Sequence, residues 1–216
     1  GYVWHTTGSG KTMTSFKSAQ LIASSKDADK VIFLMDRIEL GTQSLKEYRG
    51  FADENESVQA TENTNVLITK LKSSNPADTL IVTSIQKMSN IKDEAGGLNA
   101  RDIELISEKR IVFIVDEAHR STFGDMLLTI KNTFPKAMFF GFTGTPIQDE
   151  NQKKKNTTST VFGNELHRYS IADGIRDKNV LGFDPYKVLT FKDKDVRKVV
   201  ALEKAKAQTE EEAISD

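Results

Sequence analysis

YVWHTTGSGKTMTSF, Tyr2 to Phe16, runs a short apolar segment into a glycine-rich turn and then into residues with helical spacing. Within it, Gly8, Gly10, Lys11 and Thr12 fit the end of the phosphate-binding pattern G-x-x-x-x-G-K-[ST], while His5 stands where that pattern has its first glycine. Such a turn brings backbone N–H groups and the positive end of the following helix around phosphate oxygens. Glycine permits the close approach, and lysine supplies a point charge near the β and γ phosphates. The bland alternative is a glycine-rich turn capping a helix with an exposed lysine. The context favours the phosphate reading, because a strand before the turn and a helix after it are what the site requires.

Outward from this turn, further apolar runs follow: VIFLM (Val31 to Met35), TLIVTSI (Thr79 to Ile85), RIVFIVD (Arg110 to Asp116) and AMFFGFTG (Ala137 to Gly144). Short, continuous and rich in β-branched or aromatic residues, they read as strands buried on both faces, as a parallel sheet requires. Between them lie segments with helical spacing: Met13, Phe16 and Gln20 to Ala23; Leu40, Leu45 and Tyr48; Val66 to Leu71; Ile103 to Ile106; and Met126 to Phe134. Strand then helix, repeated, predicts an α/β fold with right-handed crossovers. QDENQKKKNTTST, Gln148 to Thr160, reads as a long loop. From Phe191 the composition becomes highly charged, so residues 1–191 are expected to form the domain and 192–216 a charged helical linker.

Composition bounds the function without choosing it. No apolar run approaches the roughly 18 residues needed to span a bilayer, so no membrane partner is expected. The sequence has no cysteine, which excludes disulfides and thiolate metal sites and makes a cytoplasmic location the expectation. A formal net charge of −1 gives no global pull toward nucleic acid; any such contact must be local.

IVFIVDEAH, Ile111 to His119, is an apolar strand with two consecutive carboxylates at its exit, the end at which open α/β sheets bind ligands. Asp116 can hold Mg²⁺ through water, and Glu117 can orient or deprotonate an attacking water. A solvated strand end is the ordinary reading of an Asp-Glu pair, and the phosphate loop is what displaces it.

TGSGKT, DEAH and GFTGTP, in this order, resemble motifs I, II and III of superfamily 2 nucleic-acid helicases and translocases. The fuller forms WHTTGSGKT, MDRIEL (Met35 to Leu40), TSIQK (Thr83 to Lys87), DEAHRSTFG (Asp116 to Gly124), FGFTGTPI (Phe140 to Ile147) and VFGNELHRYSIADGIRD (Val161 to Asp177) are similar to the first motor domain of the restriction subunit of type I restriction-modification enzymes. The resemblance covers about Gly1 to Phe191. It implies a RecA-like, three-layer α/β/α domain with a mainly parallel central sheet, using ATP and Mg²⁺ and coupling hydrolysis to translocation on double-stranded DNA. Implied partners are a nuclease domain and a second motor domain of the same full-length chain, and the methylation and specificity subunits of the restriction complex. The sequence is accordingly expected to be a fragment of a longer chain, and one that hydrolyses ATP poorly alone. Two alternatives stay open: another superfamily 2 DNA motor, of type III restriction or repair, and a domain that binds nucleotide without turnover.

Carried over residue by residue, the resemblance makes Lys11 the phosphate-binding lysine, Thr12 a Mg²⁺ ligand, and Gly8, Ser9 and Gly10 the phosphate cradle. Asp116 becomes the metal-binding acid and Glu117 the water-activating one. His119, Thr143 and Thr145 take coupling roles toward the second motor domain. Arg37, Ser84, Gln86 and Lys87 match segments that face the nucleic-acid backbone, where contacts give affinity without sequence choice. Lys153 to Lys155 read as a solvated loop, the phenylalanines 139, 140 and 142 as a buried strand, and His167 as structural.

Overall fold

The computed structural model describes residues 1–35, 64–92, 98–116, 118, 123–147 and 157–182, the side chain of Phe123 excepted. The chain divides into two units, Gly1–Leu181 and Gly182–Asp216, and everything below concerns the first. Among the described residues it has six strands: β1 (Tyr2–His5), β2 (Lys30–Met35), β3 (Leu80–Ser84), β4 (Ile111–Val115), β5 (Met138–Thr143) and β6 (Glu165–Tyr169). They form one sheet in the order β3-β2-β4-β5-β1-β6, and every pairing is parallel. The helices among the described residues are α1 (Lys11–Ser25), α2 (Thr64–Lys72), α3 (Ile85–Ser89), α4 (Ala100–Ser107), α5 (Phe123–Thr133), α6 (Thr158–Phe162) and α7 (Ile171–Arg176).

Alternation along the strands sorts their side chains into two cores. Val31, Phe33 and Met35 of β2 and Val112 and Ile114 of β4 face one side, where Phe16 and Ala19 of α1 cover them. Ile32, Leu34, Phe113 and Val115 face the other, packed with Leu67 and Leu71 of α2, Ile85 and Met88 of α3, and Leu127 and Ile130 of α5. The result is a three-layer α/β/α sandwich, and β2 is buried at every position because both of its faces are roofed. Phenylalanines 139 and 142 divide in the same way between the two cores.

Helix α1 buries Lys11, Ser15, Phe16, Ala19 and Gln20, a stripe at helical spacing whose anchor is the Phe16 ring, set edge-on to Phe33 at 5.6 Å. Met13, expected on that stripe, is instead 48% exposed, its Cε lying 4.0 Å from where a Cβ on Gly10 would stand. The expected loop Gln148 to Thr160 also ends early. Residues 148–156 lie outside the described residues, but Thr157 caps α6 by accepting from Thr160 N–H at 3.2 Å, and Thr158 to Thr160 are helical. No described helix is long and apolar enough to cross a membrane.

Candidate nucleotide site at the strand exits

Parallel pairing places the exits of β1, β4 and β5 along one end of the sheet. Trp4 of β1 is in register with Thr143 of β5, and Val115 of β4 with Gly141 of β5. The glycine-rich turn therefore follows one strand, Asp116 follows another, and the Thr143 segment ends the strand between them.

The turn is shaped by Gly8 and Gly10, both at φ 81°, a left-handed conformation that a Cβ would strain. Its inner bonds are local: Ser9 N–H and Oγ both reach the Thr6 carbonyl, at 3.2 and 2.6 Å. Gly10 is the N-cap of α1 and offers no side chain to the helix's first N–H groups, and no acid stands in the first turn. Those orphan donors keep their positive end for a ligand. A Cβ built on Gly8 would meet nothing within 4 Å, so the cradle is open on that side.

Lys11 and Asp116 close the inner wall. Lys11 Nζ donates to Asp116 Oδ1 at 2.8 Å, and the two residues are only 7% and 2% exposed. Asp116 holds its place because its own N–H continues the ladder to Leu34 O at 3.0 Å, whereas Ala118 N–H crosses to Phe142 O at 2.9 Å. Thr12 is half-buried in the first turn of α1. Glu117 and His119 lie outside the described residues.

Thr143 is fully buried, and its Oγ1 accepts from Thr145 N–H at 3.1 Å, whereas Thr145 itself is exposed. Gly144 O accepts from Trp4 Nε1 at 3.1 Å. A Cβ on Gly144 would come 3.2 Å from Thr7 Oγ1 and 3.4 Å from His5 O, so the two loops touch backbone to backbone. No sequence pattern announces this tie; Trp4 stands one residue before the phosphate pattern and reads as a strand residue only.

His5, the departure from the glycine pattern, is buried, and its Nδ1 has no hydrogen-bond partner among the described residues. Its ring lies 5.3 Å from that of His167 and 5.6 Å from that of Tyr169. Burial first, then His167 and Lys11, push its pKa below the ordinary histidine value. His167 sits exposed on edge strand β6, in register with Val3. The sequence does not mark β6 as a strand, since ELHRY is polar and mostly exposed.

Of the residues matched to nucleic-acid contacts, Arg37 lies outside the described residues. Ser84 is fully buried and caps α3, accepting from Lys87 N–H at 3.2 Å. Gln86 and Lys87 are half-buried on that short helix, at the exit of β3 and thus at the same end of the sheet as Asp116.

Hard oxygen donors from Thr12 and Asp116, beside an uncapped helix start and a lysine, suit a metal-bound phosphate. No three His, Cys, Asp or Glu side chains cluster to hold a metal among the described residues, so a divalent ion here would be completed by phosphate oxygens and water.

Comparison with known proteins agrees with this geometry. A family model described as SWI2/SNF2 ATPase matches residues 1–215. The type I restriction enzyme SauMSSORF170P endonuclease subunit of Staphylococcus aureus (strain MSSA476) is 46% identical over 198 residues, 91% of this chain and 20% of that protein. The C-terminal part of a putative type I restriction enzyme, the MpnIIP endonuclease of Mycoplasma pneumoniae, is 43% identical over 134 residues, 62% of this chain and 63% of that protein. The chain thus spans about a fifth of the length of the first of these relatives. Among solved structures, a nuclease-deletion mutant of the Type ISP restriction-modification enzyme LlaGI in complex with a DNA substrate mimic superposes with a TM-score of 0.54 at 19% identity, covering 83% of this chain and 18% of that one. The UvsW helicase from bacteriophage T4 gives 0.52 at 16% identity, covering 77% and 53%. These likenesses establish the RecA-like fold of helicase and restriction motors, and with the match along residues 1–215 the chain belongs to the SWI2/SNF2 ATPase family.

Proposed function

We propose that these residues act in the cytoplasm as the ATP-binding motor domain of the endonuclease subunit of a type I restriction enzyme, driving translocation on double-stranded DNA. The observation that carries the chemistry is the buried Lys11–Asp116 contact beside an uncapped helix start. The restriction assignment is supported by 46% identity along 91% of the chain, and duplex DNA as the partner by the DNA-bound restriction motor of the same fold.

The residues divide the work by position. The backbone N–H groups of Gly8 to Thr12 surround the β and γ phosphates, with Lys11 transferring its charge from Asp116 to them. Asp116 and Thr12 hold Mg²⁺, which when bound offsets the repulsion between the carboxylates and the triphosphate. Glu117 orients the attacking water and accepts its proton. Thr143 to Thr145, tied to β1 through Trp4, and His119 beyond β4 carry the state of the phosphates toward a second motor domain. Gln86 and Lys87, with Arg37, contact the DNA backbone; Ser84 positions them by capping α3. A nuclease domain, with methylation and specificity subunits, makes up the rest of the enzyme.

The test is ATP turnover with and without duplex DNA in a protein joining this domain to its second motor domain. DNA-stimulated hydrolysis that Glu117→Gln abolishes while nucleotide binding persists is the expected result. Nucleotide binding with no turnover under any DNA condition would sink the motor reading in favour of a binding domain.

A further inference from the structure

At the opposite end of the sheet, where β2 and β3 begin and the chain enters β4, a cavity of about 680 Å³ opens between the C-terminal ends of α1 and α2. β2 is six residues long, so at roughly 3.3 Å per residue this cavity lies on the order of 16 Å from the strand exits that carry the nucleotide site. Four cationic side chains, Lys26, Lys30, Lys109 and Arg110, and one anionic side chain, Asp29, line it.

These charges are not evenly matched. Arg110 and Asp29 neutralise one another: Arg110 Nη2 lies 2.8 Å from Asp29 Oδ1, and Nε and the backbone N–H of Arg110 both reach Oδ2. Lys109 Nζ is spent on carbonyls, donating to Leu71, Lys72 and Ser73 at 2.9 to 3.0 Å and so capping the negative end of α2. Lys30 is 1% exposed, donates only to Asp78 O at 2.6 Å, and forms no ion pair among the described residues. Lys26 likewise has no ion pair among the described residues. All three donors of Lys109 are thus filled, and two ammonium-bearing residues, Lys30 and Lys26, line the cavity with no carboxylate of their own, Lys30 being buried with a single acceptor.

A buried ammonium with a single carbonyl partner is costly. Burial, and then Lys109, lower the Lys30 pKa to about 8, against the pull of Asp78 and Asp29. Nothing in the ATPase chemistry at the other end of the sheet accounts for this arrangement. A ligand with several negatively charged oxygens would match both ammonium groups at once, where a single carboxylate would leave most of the cavity empty. Ammonium groups receive phosphate as compact point charges, and the volume falls in the range of small-ligand sites.

We propose that this cavity is a second anion site, which takes a phosphate-bearing ligand through Lys30 and Lys26. The proposal is independent of the restriction assignment, since it rests only on the cavity and its charges.

Inorganic pyrophosphate is the probe, titrated calorimetrically into the chain carrying Lys11→Met plus Asp116→Leu, which removes the phosphate-loop lysine without stranding a buried charge. Saturable binding is expected. Lys30→Met, which keeps the side-chain volume and removes the buried charge, should weaken it about tenfold or more. Lys26→Asn, chosen because asparagine tolerates the φ of 65° at that position, should weaken it by less. A short single-stranded oligonucleotide that displaces pyrophosphate would identify a nucleic-acid backbone as the source of the phosphate; failure to displace it would identify a small phosphorylated molecule. No pyrophosphate binding in that double variant, its fold verified by circular dichroism, or binding that both lysine substitutions leave unchanged, overturns the site.

Discussion

Lys11 and Asp116, 105 residues apart in the chain, meet at 2.8 Å with side chains only 8% and 3% exposed. Each is the other's counter-charge, so binding of a metal nucleotide is an exchange: phosphate replaces Asp116 beside Lys11, and the cation replaces Lys11 beside Asp116. Removing one partner of a buried pair strands the other. Lys11→Ala should therefore remove most nucleotide binding and also destabilise the ligand-free protein by about 3–5 kcal/mol, with Lys11→Met plus Asp116→Leu recovering much of that loss. Urea denaturation of the single and double variants measures it. A cost below about 1 kcal/mol for Lys11→Ala would place the pair in solvent, contrary to the observed burial.

The contact between the two loops makes a separate prediction. A Cβ at Gly144 would meet Thr7 Oγ1 at 3.2 Å with the His5 carbonyl behind it at 3.4 Å, so Gly144→Ala requires the Thr7 side chain or the Thr143–Thr145 segment to give by a few tenths of an ångström. Overpacking of this kind costs about 1–3 kcal/mol. Trp4→Phe should act in the same direction more mildly, about 1 kcal/mol, by deleting the donor to Gly144 O. If that segment couples nucleotide state to movement, Gly144→Ala should lower DNA-stimulated turnover while nucleotide affinity changes little. Equal losses in basal and stimulated turnover would argue for a structural role alone.

His5 gives the domain an acid-sensitive point beside its phosphate loop. Its folded pKa lies below the ordinary 6.5, with burial as the largest cause, so the unfolded chain binds the proton more readily than the folded one. Stability should then fall as pH drops below about 6.5 and level off once the folded pKa is passed. His5→Phe, which fills the same space without titrating, should flatten that part of the profile. Thermal denaturation between pH 7 and pH 5 checks this, and an unchanged slope in the variant would assign the acid sensitivity to other groups.

Much of this architecture was legible because it is written in buried, apolar strands. VIFLM and IVFIV are covered on both faces, so their composition alone distinguishes them from amphipathic segments. The glycines at positions 8 and 10 were legible for a different reason: a left-handed turn before a helix leaves few residue choices. Edge strand β6 was not, because ELHRY is solvent-facing at four of five positions and its pairing with β1 depends on backbone groups that sequence does not display. The short helices α3, α6 and α7 hang on caps from Ser84, Thr157 and Ser170, local devices too small to leave a periodic signal. The meeting of Trp4 with Gly144 is a product of strand order, which places β1 beside β5 although 132 residues separate His5 from Met138 in the chain and no local pattern predicts it.

The arginines bear on how far this domain can catalyse alone. Stabilising the charge on a transferring phosphoryl group commonly needs an arginine, worth about 10³ to 10⁵ in rate. Arg110 is bound to Asp29 at the far end of the sheet, Arg168 lies 4.0 Å over the Trp4 ring, and Arg176 pairs with Asp173 and Asp177. Each of these three is engaged in a contact of its own, and Arg110 lies at the end of the sheet away from the phosphate loop. Residues 1–216 alone should therefore bind nucleotide yet hydrolyse it slowly, and DNA should not stimulate what turnover remains. Joining the second motor domain in one chain should raise hydrolysis by the factor an arginine supplies, and Glu117→Gln in that longer protein should abolish the gain while leaving nucleotide affinity intact. Single-turnover measurements on both proteins separate the chemical step from binding. Equal rates for the two would mean that catalysis is completed within this domain, and the search for its arginine would turn to Arg37, Arg49, Arg101, Arg120 and Arg197.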